Sequence, residues 1–560
     1  MLKPKSFFDR CRTGTTTGLS VSLGVLAASF LCVGLSPRPA CSAERVYISY
    51  SLFERSISVD SLEIYAREGK LEGDLAAYAR YTNPQQLEQL QRILNQRLDL
   101  DAVVVSKFLY TFQGESLLNL LGEVIQTENR LPGFHAIRAA LILAAADPEG
   151  LTLLNVLQKY PTTALRIDLA RSLQVMEELQ TLVAETEQAI ALVKQQHELE
   201  TETSPTIDFA ARPDVRQPGS LTWEKRTIRL TDAKRDRTFL SDLYLPHRSQ
   251  VAPVIIISHG VGSDRTSFTY LGEHLASHGF AVAIPDHPGS SAQQVQNFLR
   301  GKTNTVIALN ELIDRPLDIT LLLDEIGRLA EAETALQGRL NLQSVGIIGQ
   351  SFGGYTALVA AGAAIDFPRL HAECAQLSQS WNISLLLQCQ ATELPDPDRA
   401  MGLADPRIKA AIAINPIDSS ILGPKSFSQM QVPVMLVSGT ADTVAPPLAE
   451  QIRPFTWLNP PHKYLALMHN ATHFSTIGQA EAGSEGVPVP AEAIGPDPLL
   501  AQNYLSALSV AFLKTHIESQ SDYGDYLTAR YVTAISKQPI PLNLVQQLTP
   551  SQLTQALQNR

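Results

Sequence analysis

The stretch that decides the fold is Val345-Gly-Ile-Ile-Gly-Gln-Ser351-Phe-Gly-Gly-Tyr-Thr-Ala-Leu-Val-Ala-Ala361. An apolar run leads to a serine, and a good helix former follows. Glycines two positions to either side, Gly349 and Gly353, are typical of a strand–turn–helix elbow, because the strained turn leaves no room for side chains there. The helix start also directs partial positive charge and free N–H groups at Ser351. We therefore predict that Ser351 is a nucleophile rather than a coincidental loop serine.

A serine nucleophile needs a base to take its proton and a carboxylate to orient that base. In this strand–elbow–helix setting the chain order is serine, acid, histidine. Asp442 lies in a turn just after the apolar run Val432–Val437, and His473 follows the run Tyr464–Leu467. Because the carboxyl ends of parallel strands meet at one sheet edge, we predict a catalytic triad of Ser351, Asp442 and His473.

Each of the two partners has a rival. His469 ends the same strand as His473, but it would lie too far back to reach Ser351. The turn after Ile408–Ile414 offers Asn415, which cannot carry a charge, and Asp418, which is also explained as an ordinary turn or cap residue. We therefore favour His473 and Asp442.

The oxyanion that develops during acyl transfer needs two preorganised N–H donors. We expect one from Phe352, directly after the nucleophile, and the other from Val261 in the turn Ser258-His-Gly-Val-Gly262. Glycine lets a backbone approach a substrate closely at such a turn. His259 is interpreted as a structural histidine of that turn, and Asp286 as part of a shaping turn rather than a substrate contact.

The surrounding sequence predicts an α/β fold. Short apolar runs alternate with helical stretches, which indicates a mostly parallel sheet with helices on both faces over residues 220–520. Thr222–Leu230 and Thr238–Leu245 flank a polar turn and predict an antiparallel hairpin. Residues 360–406 are too long for a simple connection and are interpreted as a cap insertion. Residues 521–560 are interpreted as a C-terminal tail.

The first third of the chain has a different pattern. Residues 44–195 carry leucines at helical spacing, for example Leu87, Leu90, Leu94 and Leu98, and no nucleophile, metal set or phosphate loop. We expect an all-α N-terminal domain in which these leucines form the core rather than a binding groove. Residues 196–219 are polar and contain Pro and Gly, as in a linker.

Residues 1–43 are predicted to be a signal peptide, because a basic start and an apolar stretch lead to small residues ending at Ala43. The protein would then be exported; an uncleaved membrane anchor is the alternative. Cleavage would leave Cys374 and Cys389, which are candidates for one disulfide in an exported protein, with two buried free thiols as the alternative.

The composition excludes several classes. Hydrophobic residues make up 44% and charged residues 18%, which argues against a disordered chain. The net charge of −11 argues against a nucleic-acid partner, because phosphate contacts need surplus Lys and Arg. No metal or nucleotide signature is visible, and the predicted reaction needs no cofactor. The oligomeric state is left open.

From Thr222 to about Ile517 the chain resembles the α/β-hydrolase superfamily. The matching pieces are Ser258-His-Gly-Val-Gly262, Gly349-Gln-Ser-Phe-Gly353, Asp442 and Thr472-His473-Phe. Within it, the first two pieces resemble the platelet-activating-factor acetylhydrolase and dienelactone-hydrolase group. One departure is that the acetylhydrolases carry their acid after the earlier strand, where this chain has Asn415, so their short-acyl preference is not transferred.

The first part of the chain, from Ala43 through the segment Ser56-Ile-Ser-Val-Asp-Ser-Leu62, resembles an uncharacterised helical domain that precedes such hydrolases in cyanobacterial proteins. Together the motifs predict a serine hydrolase that cleaves carboxylic esters through an acyl-enzyme. The substrate would be a small-molecule or lipid ester, and a lipid ester would imply transient contact with a membrane surface. A lipase or phospholipid acyl hydrolase is the alternative, and a non-catalytic scaffold is a further one.

Overall fold

A computed structural model describes residues 42–51, 53–377, 380–478 and 491–558. Apart from its last two residues, the predicted signal peptide lies outside the described residues. The described chain forms an N-terminal domain and a C-terminal domain that share one long helix. Within these residues, no helix combines the length and apolarity needed to cross a bilayer.

The N-terminal domain contains a sheet as well as helices, so our expectation of an all-α domain is wrong. Its strands pair in the order β2-β1-β4-β3, and they are β1 (Arg45–Tyr50), β2 (Phe53–Ser58), β3 (Ile125–Thr127) and β4 (Ala164–Asp168). β1 and β4 are parallel, with Arg45 opposite Ala164. The pairing joins segments that lie far apart in the chain, so no local periodicity announces it.

Helices surround this small sheet, and their apolar faces form one core that includes Leu62, Leu94, Leu118 and Ala140. Leu94 is buried, as the leucine spacing predicted, while Leu98 is exposed. In chain order the helices are α1 (Val59–Glu68), α2 (Gly73–Ala79), α3 (Pro84–Asn95), α4 (Ala102–Leu109), α5 (Phe112–Val124), α6 (Phe134–Ala146), α7 (Leu153–Gln158) and α8 (Leu169–Thr203).

Helix α8 belongs to both domains. Near its start, Arg171 forms an ion pair with Glu123 of α5. Towards its end, Ala189 and Val193 are buried in the core of the C-terminal domain. The predicted linker therefore begins later than residue 196, because α8 continues to Thr203, where Ser204 precedes a proline that disfavours further helix.

The C-terminal domain is built on a nine-stranded sheet with helices on both faces, which confirms the predicted α/β-hydrolase fold class. Its strands are β5 (Trp223–Asp232), β6 (Arg237–Pro246), β7 (Ala252–Ser258), β8 (Ala281–Pro285), β9 (Leu340–Gln350), β10 (Ile408–Ile414), β11 (Val434–Gly439), β12 (Lys463–Met468) and β13 (Leu542–Val545).

The strand order is β13-β12-β11-β10-β9-β7-β8-β6-β5. The six strands from β12 to β8 are parallel, while the predicted hairpin β5–β6 and the edge strand β13 are antiparallel. Alternate residues face opposite sides of the sheet: Val254 and Ile256 join one core, and Ile255 and Ile257 join the other. Burial on both faces explains why these strands are continuous apolar runs.

The helices of this domain cover both faces of the sheet. They are α9 (Thr269–Ser277), α10 (Ala292–Leu299), α11 (Glu311–Ala332), α12 (Phe352–Ala360), α13 (Phe367–Cys374), α14 (Leu385–Gln388), α15 (Gly423–Gln429), α16 (Arg453–Trp457), α17 (Ala491–Ile494), α18 (Pro498–His516), α19 (Ala529–Ile535) and α20 (Pro550–Gln558). Shorter helical turns lie at Phe209–Ala211, Arg265–Phe268, Cys389–Glu393, Pro397–Ala400, Leu448–Ile452 and Ser521–Leu527.

Our interpretation of residues 521–560 as a tail is corrected by this structure. Strand β13 pairs with β12, from Leu465 opposite Val545 to Met468 opposite Leu542. Helix α19 and β13 also contact the end of α8. There, Nδ1 of His197 lies 3.0 Å from the backbone oxygen of Leu544, and Nε2 lies 2.9 Å from Oγ1 of Thr533. A four-residue strand in a long segment carries too short a pattern to be recognised from sequence.

Candidate active site

The turn after β9 has the backbone of a nucleophile elbow. Ser351 adopts a φ of +58°, a conformation that is costly for any residue except glycine. A Cβ atom at Gly349 would lie 1.9 Å from the Gly353 carbonyl oxygen, and one at Gly353 would lie 2.0 Å from the Ser258 carbonyl oxygen. Both positions therefore exclude side chains, as the sequence argument required. Helix α12 begins at the next residue, Phe352.

The elbow lies where the order in which successive strands are added to the sheet changes from one side of β7 to the other. Strand β7 has β8 on one side and β9 on the other, so the turns after β7 and β9 border the same crevice at the carboxyl ends of the strands. The turn after β7 approaches closely, because a Cβ at Gly260 would lie 3.3 Å from Cβ of Ser351.

Asp442 and His473 are in direct contact. His473 Nδ1 lies 2.7 Å from Oδ2 of Asp442. The other oxygen of the carboxylate, Oδ1, accepts the N–H groups of Val444 at 2.8 Å and Ala445 at 2.7 Å. Both side chains are buried, with 4% of each residue exposed. A carboxylate held in this way fixes the ring orientation and leaves Nε2 for another partner.

The elbow and the histidine loop are joined through Gln350. Its Nε2 donates to the backbone oxygen of His473 at 3.1 Å. No hydrogen bond joins Ser351 Oγ to His473 among the residues that the structure describes. Catalytic hydrogen bonds of this kind are often long without substrate and tighten when it binds.

Asn415 also supports the histidine loop. It follows β10 with a φ of +43°. Its Oδ1 accepts the N–H of Gly439 at 2.9 Å, and its Nδ2 lies 3.4 Å from the backbone oxygen of His473. This residue therefore connects the ends of three neighbouring strands without carrying charge. Sequence reasoning had considered Asn415 only as an absent acid.

Neither rival residue forms a hydrogen bond with His473 among the described residues. His469 Nε2 contacts Oδ1 of Asn543 on β13 at 2.6 Å. Asp418 is fully buried, and neither carboxyl oxygen has a hydrogen-bond partner among the described residues. Burial, with the nearby carboxylate of Glu450, holds the pKa of Asp418 well above its usual range. Asp418 is thus not held as a paired carboxylate in the way that Asp442 is.

The two N–H groups expected to bind an oxyanion have no protein acceptor within the part of the chain that the structure describes. Phe352 occupies the first position of α12, where helix N–H groups lack intrahelical partners. Val261 lies between Gly260 and Gly262, and the N–H of Gly262 donates to the Ser290 oxygen at 2.9 Å. Among the described residues, neither Val261 nor Phe352 donates its backbone N–H to another residue.

His259 supports this turn. Its Nδ1 donates to the Gly260 oxygen at 2.8 Å, and its Nε2 accepts the N–H of His287 at 3.1 Å. Burial, with the positive charge of Arg315, lowers the pKa of His259 well below its usual value. His259 therefore stays neutral and keeps one tautomer. Asp286 is also occupied, because its carboxylate accepts both the N–H and the guanidinium of Arg265.

The predicted cap insertion packs between the domains. Cys374 and Cys389 flank its central segment, with their sulfur atoms at bonding distance. Gln388 and Asn382 donate to the buried carboxylate of Glu450, at 3.1 Å and 2.5 Å. On the other side, Trp381 Nε1 donates to Glu178 of α8 at 3.0 Å. The cap is thus held by both domains.

The N-terminal domain makes further contacts near the cap. Gln113 donates to the backbone oxygen of Leu386 at 3.3 Å. Lys107 donates to the Gly301 oxygen at 2.7 Å.

Within the part of the chain that the structure describes, no group of three or more acidic, histidine or cysteine side chains is arranged to hold a metal ion.

Comparison with known proteins agrees with the fold. Residues 42–168 match a family described as alpha/beta hydrolase of unknown function (DUF1400). Residues 232–313 match the family of platelet-activating factor acetylhydrolase, isoform II. With the nine-stranded sheet, these matches show that the chain belongs to the α/β-hydrolase superfamily.

Curated relatives are similar to the chain at low identity. Cutinase est1 of Thermobifida alba is 24% identical over 288 residues, which cover 51% of this chain and 67% of that protein. Cutinase 1 of Thermobifida cellulosilytica is 24% identical over 294 residues, which cover 51% of this chain and 76% of that protein. A platelet-activating factor acetylhydrolase of Cavia porcellus is 30% identical over 134 residues, which cover 19% of this chain and 31% of that protein.

Proposed function

We propose that this protein is an exported serine hydrolase that cleaves carboxylic esters through an acyl-enzyme intermediate. The observation that carries the proposal is the contact of 2.7 Å between Asp442 and His473, and the elbow that holds Ser351 at a φ of +58° supports it. Cutinases and an acetylhydrolase among the relatives support ester hydrolysis.

In the proposed reaction, Ser351 Oγ attacks the ester carbonyl and His473 Nε2 takes its proton. The N–H groups of Val261 and Phe352 donate to the oxyanion of the tetrahedral intermediate. The C–O bond to the alcohol then breaks, and His473 returns the proton to the leaving oxygen. Water, activated by His473, attacks the acyl-serine and releases the acid, while Asp442 stabilises the imidazolium in both steps.

A lipase or phospholipid acyl hydrolase is the alternative. The observation that favours it is the exposed Ile383, which begins the apolar cap segment Ile383–Leu387 and is 56% exposed. An apolar segment of this kind could contact a lipid surface transiently. A preference for long acyl chains and a rise in rate above the critical micelle concentration would separate a lipase from a small-ester hydrolase.

The test compares the full chain with Ser351→Ala on p-nitrophenyl acetate, butyrate and longer esters. We expect Ser351→Ala to lose at least about 10⁴-fold in kcat and to escape labelling by a fluorophosphonate. His473→Gln should lose a comparable amount, whereas the control His469→Gln, four residues away on the same loop, should retain activity. Equal rates for wild type and Ser351→Ala on every ester would overturn the proposal.

Export is tested on the expressed chain. Residues 1–43 are expected to be removed, so that the secreted form begins at Glu44, and sequencing of the N-terminus would check this. An intact N-terminus in a membrane fraction would instead support the retained anchor.

A further inference from the structure

Arg315 lies on α11 beneath the two candidate oxyanion donors, and its side chain is fully buried. Burial lowers the pKa of Arg315 to about 10, although nearby carboxylates raise it, so the guanidinium remains charged at neutral pH. Burying a charge is costly unless it is paired and hydrogen-bonded. The position of this cation therefore needs a physical explanation.

The guanidinium contacts the turn that carries Val261. Arg315 Nη1 donates to the backbone oxygen of His259 at 2.7 Å, and Nε donates to Ser290 Oγ at 2.9 Å. The backbone oxygen of Ser290 in turn accepts the N–H of Gly262 at 2.9 Å. Arg315 thus holds the residues on both sides of the Gly260–Val261 peptide, one directly and one through Ser290.

The same guanidinium contacts the residue that supplies the other donor. Its central carbon lies 4.5 Å from the centroid of the Phe352 ring, a distance typical of a cation–π contact. One planar group therefore contacts both walls of the candidate oxyanion hole. A lysine has a single nitrogen and cannot reproduce this combination of a fork and a flat face.

We propose that Arg315 is a positioning residue that sets the separation between the Val261 and Phe352 N–H groups. This inference rests on the proposed ester hydrolysis and names a further residue on which its rate depends. Preorganised donors stabilise a transition state only when they are aimed at the developing charge, and small displacements cost much of that stabilisation.

The hydrogen bonding of Arg315 fits such a role better than a role in stability alone. Its Nη2 is buried and has no hydrogen-bond partner among the described residues, which is costly for folding. Its nearest carboxylate, Glu311, lies 3.6 Å from Nε and is held at 2.6 Å by Arg237 instead. Arg237 thus makes the closer ion pair with Glu311. Arg315 instead donates its hydrogen bonds to His259 and Ser290, which lie on the two backbone segments.

The experiment measures kcat and KM for p-nitrophenyl butyrate in Arg315→Lys and Arg315→Met, with kcat expressed per active site by burst titration. We expect kcat per site to fall about 10- to 100-fold while KM changes less than about 3-fold, because the donors act on the transition state. A purely structural role of Arg315 would lower the rate by increasing the misfolded fraction. Dividing the rate by the concentration of titrated active sites removes that effect.

The matched control is Arg248→Met, which removes a largely buried arginine of the same domain that pairs with Glu518 and, among the described residues, shares no hydrogen-bond or ion-pair partner with Arg315. We expect it to lower the unfolding midpoint but to keep kcat per site within about twofold of wild type. Wild-type kcat per site in Arg315→Lys, or an equal loss in Arg248→Met, would overturn the inference.

Two further measurements complete the design. If Arg315→Met does not fold, Ser290→Ala tests the same link without removing a charge, and a decrease of about 3- to 10-fold in kcat per site is expected; an unchanged rate would count against the link. Activity of Ser351→Ala equal to wild type would instead defeat the proposed function itself, so the two failures are distinguishable.

Discussion

Nδ1 of His473 contacts Oδ2 of Asp442 at 2.7 Å, and the opposite oxygen of that carboxylate is fixed by two backbone N–H groups. The acid is therefore oriented by the main chain before any substrate arrives. Asp418, the other acid considered from the sequence, has no such contact and is buried beside Glu450.

We predict that Asp442→Asn lowers kcat by about 10³- to 10⁴-fold, because the amide stabilises the wrong histidine tautomer. Asp418→Asn should leave kcat for p-nitrophenyl butyrate within about twofold, because among the described residues neither carboxyl oxygen of Asp418 has a hydrogen-bond partner. Steady-state kinetics on both variants check this. Comparable losses in both variants would show that the acid has been assigned to the wrong strand.

A second prediction concerns Gly353, two positions after the nucleophile. Gly353→Ala places a methyl group 2.0 Å from the Ser258 oxygen, and we expect a loss of roughly 3 kcal/mol in unfolding free energy together with most activity. Gly327→Ala is the control. Gly327 lies within α11, and among the described residues a Cβ atom there would meet only Leu342, at the ordinary contact distance of 3.5 Å. That change should stabilise the helix by up to about 1 kcal/mol. Denaturant unfolding of both variants measures the contrast.

A third prediction concerns the cap. Alkylation of the unfolded chain should label neither Cys374 nor Cys389 before reduction and both after it. A bond between these two residues, 15 positions apart, would close a loop, so we expect the double serine variant to lose about 3 kcal/mol in chain-entropy terms. Peptide mapping and unfolding with and without reductant check both statements. Labelling of the unreduced, unfolded chain would establish two free thiols instead.

A fourth prediction concerns acid stability. His259 and His287 are fully buried, and burial with neighbouring arginines lowers the pKa of each well below its usual value. The unfolded chain binds protons at these histidines below about pH 6.5 and the folded chain does not, so stability is lost as the pH falls. Each contributes up to about 1.4 kcal/mol per pH unit in that window. Unfolding midpoints between pH 7.5 and 5 measure the slope.

The variant His287→Asn is expected to reduce this slope. It removes one of the proton-binding sites that open on unfolding and leaves His259 in place. His274 and His516, whose pKa values burial lowers to about 4, contribute to the remaining slope. Identical slopes in variant and wild type would show that His287 takes up no proton when the chain unfolds.

The central strands and the elbow were predictable from sequence because their causes are local. A strand buried on both faces is a continuous apolar run, and Gly349 and Gly353 mark a turn where any Cβ would collide with backbone. By contrast, β1 pairs with β4 across most of the N-terminal domain. That pairing depends on residues that no sequence window contains together.

The supporting residues of the site show the same distinction. Gln350 occupies the variable position of the serine motif, and only the fold brings its amide to the backbone of His473. Arg315 and Asn415 also act through residues distant in the chain. The sequence showed that Asn415 stands where the acetylhydrolases carry their acid. It could not show that the neutral side chain of Asn415 hydrogen-bonds to the ends of neighbouring strands.

The 35-residue helix Leu169–Thr203 has a consequence for how the molecule can be divided. A C-terminal fragment that began at residue 196 would lack Ala189 and Val193. Both residues are buried in the core of the C-terminal domain, so the fragment would contain a cavity there. A workable truncation must therefore begin upstream, near the middle of the helix. By the same reasoning, heating should unfold this helix together with the C-terminal core that buries Ala189 and Val193.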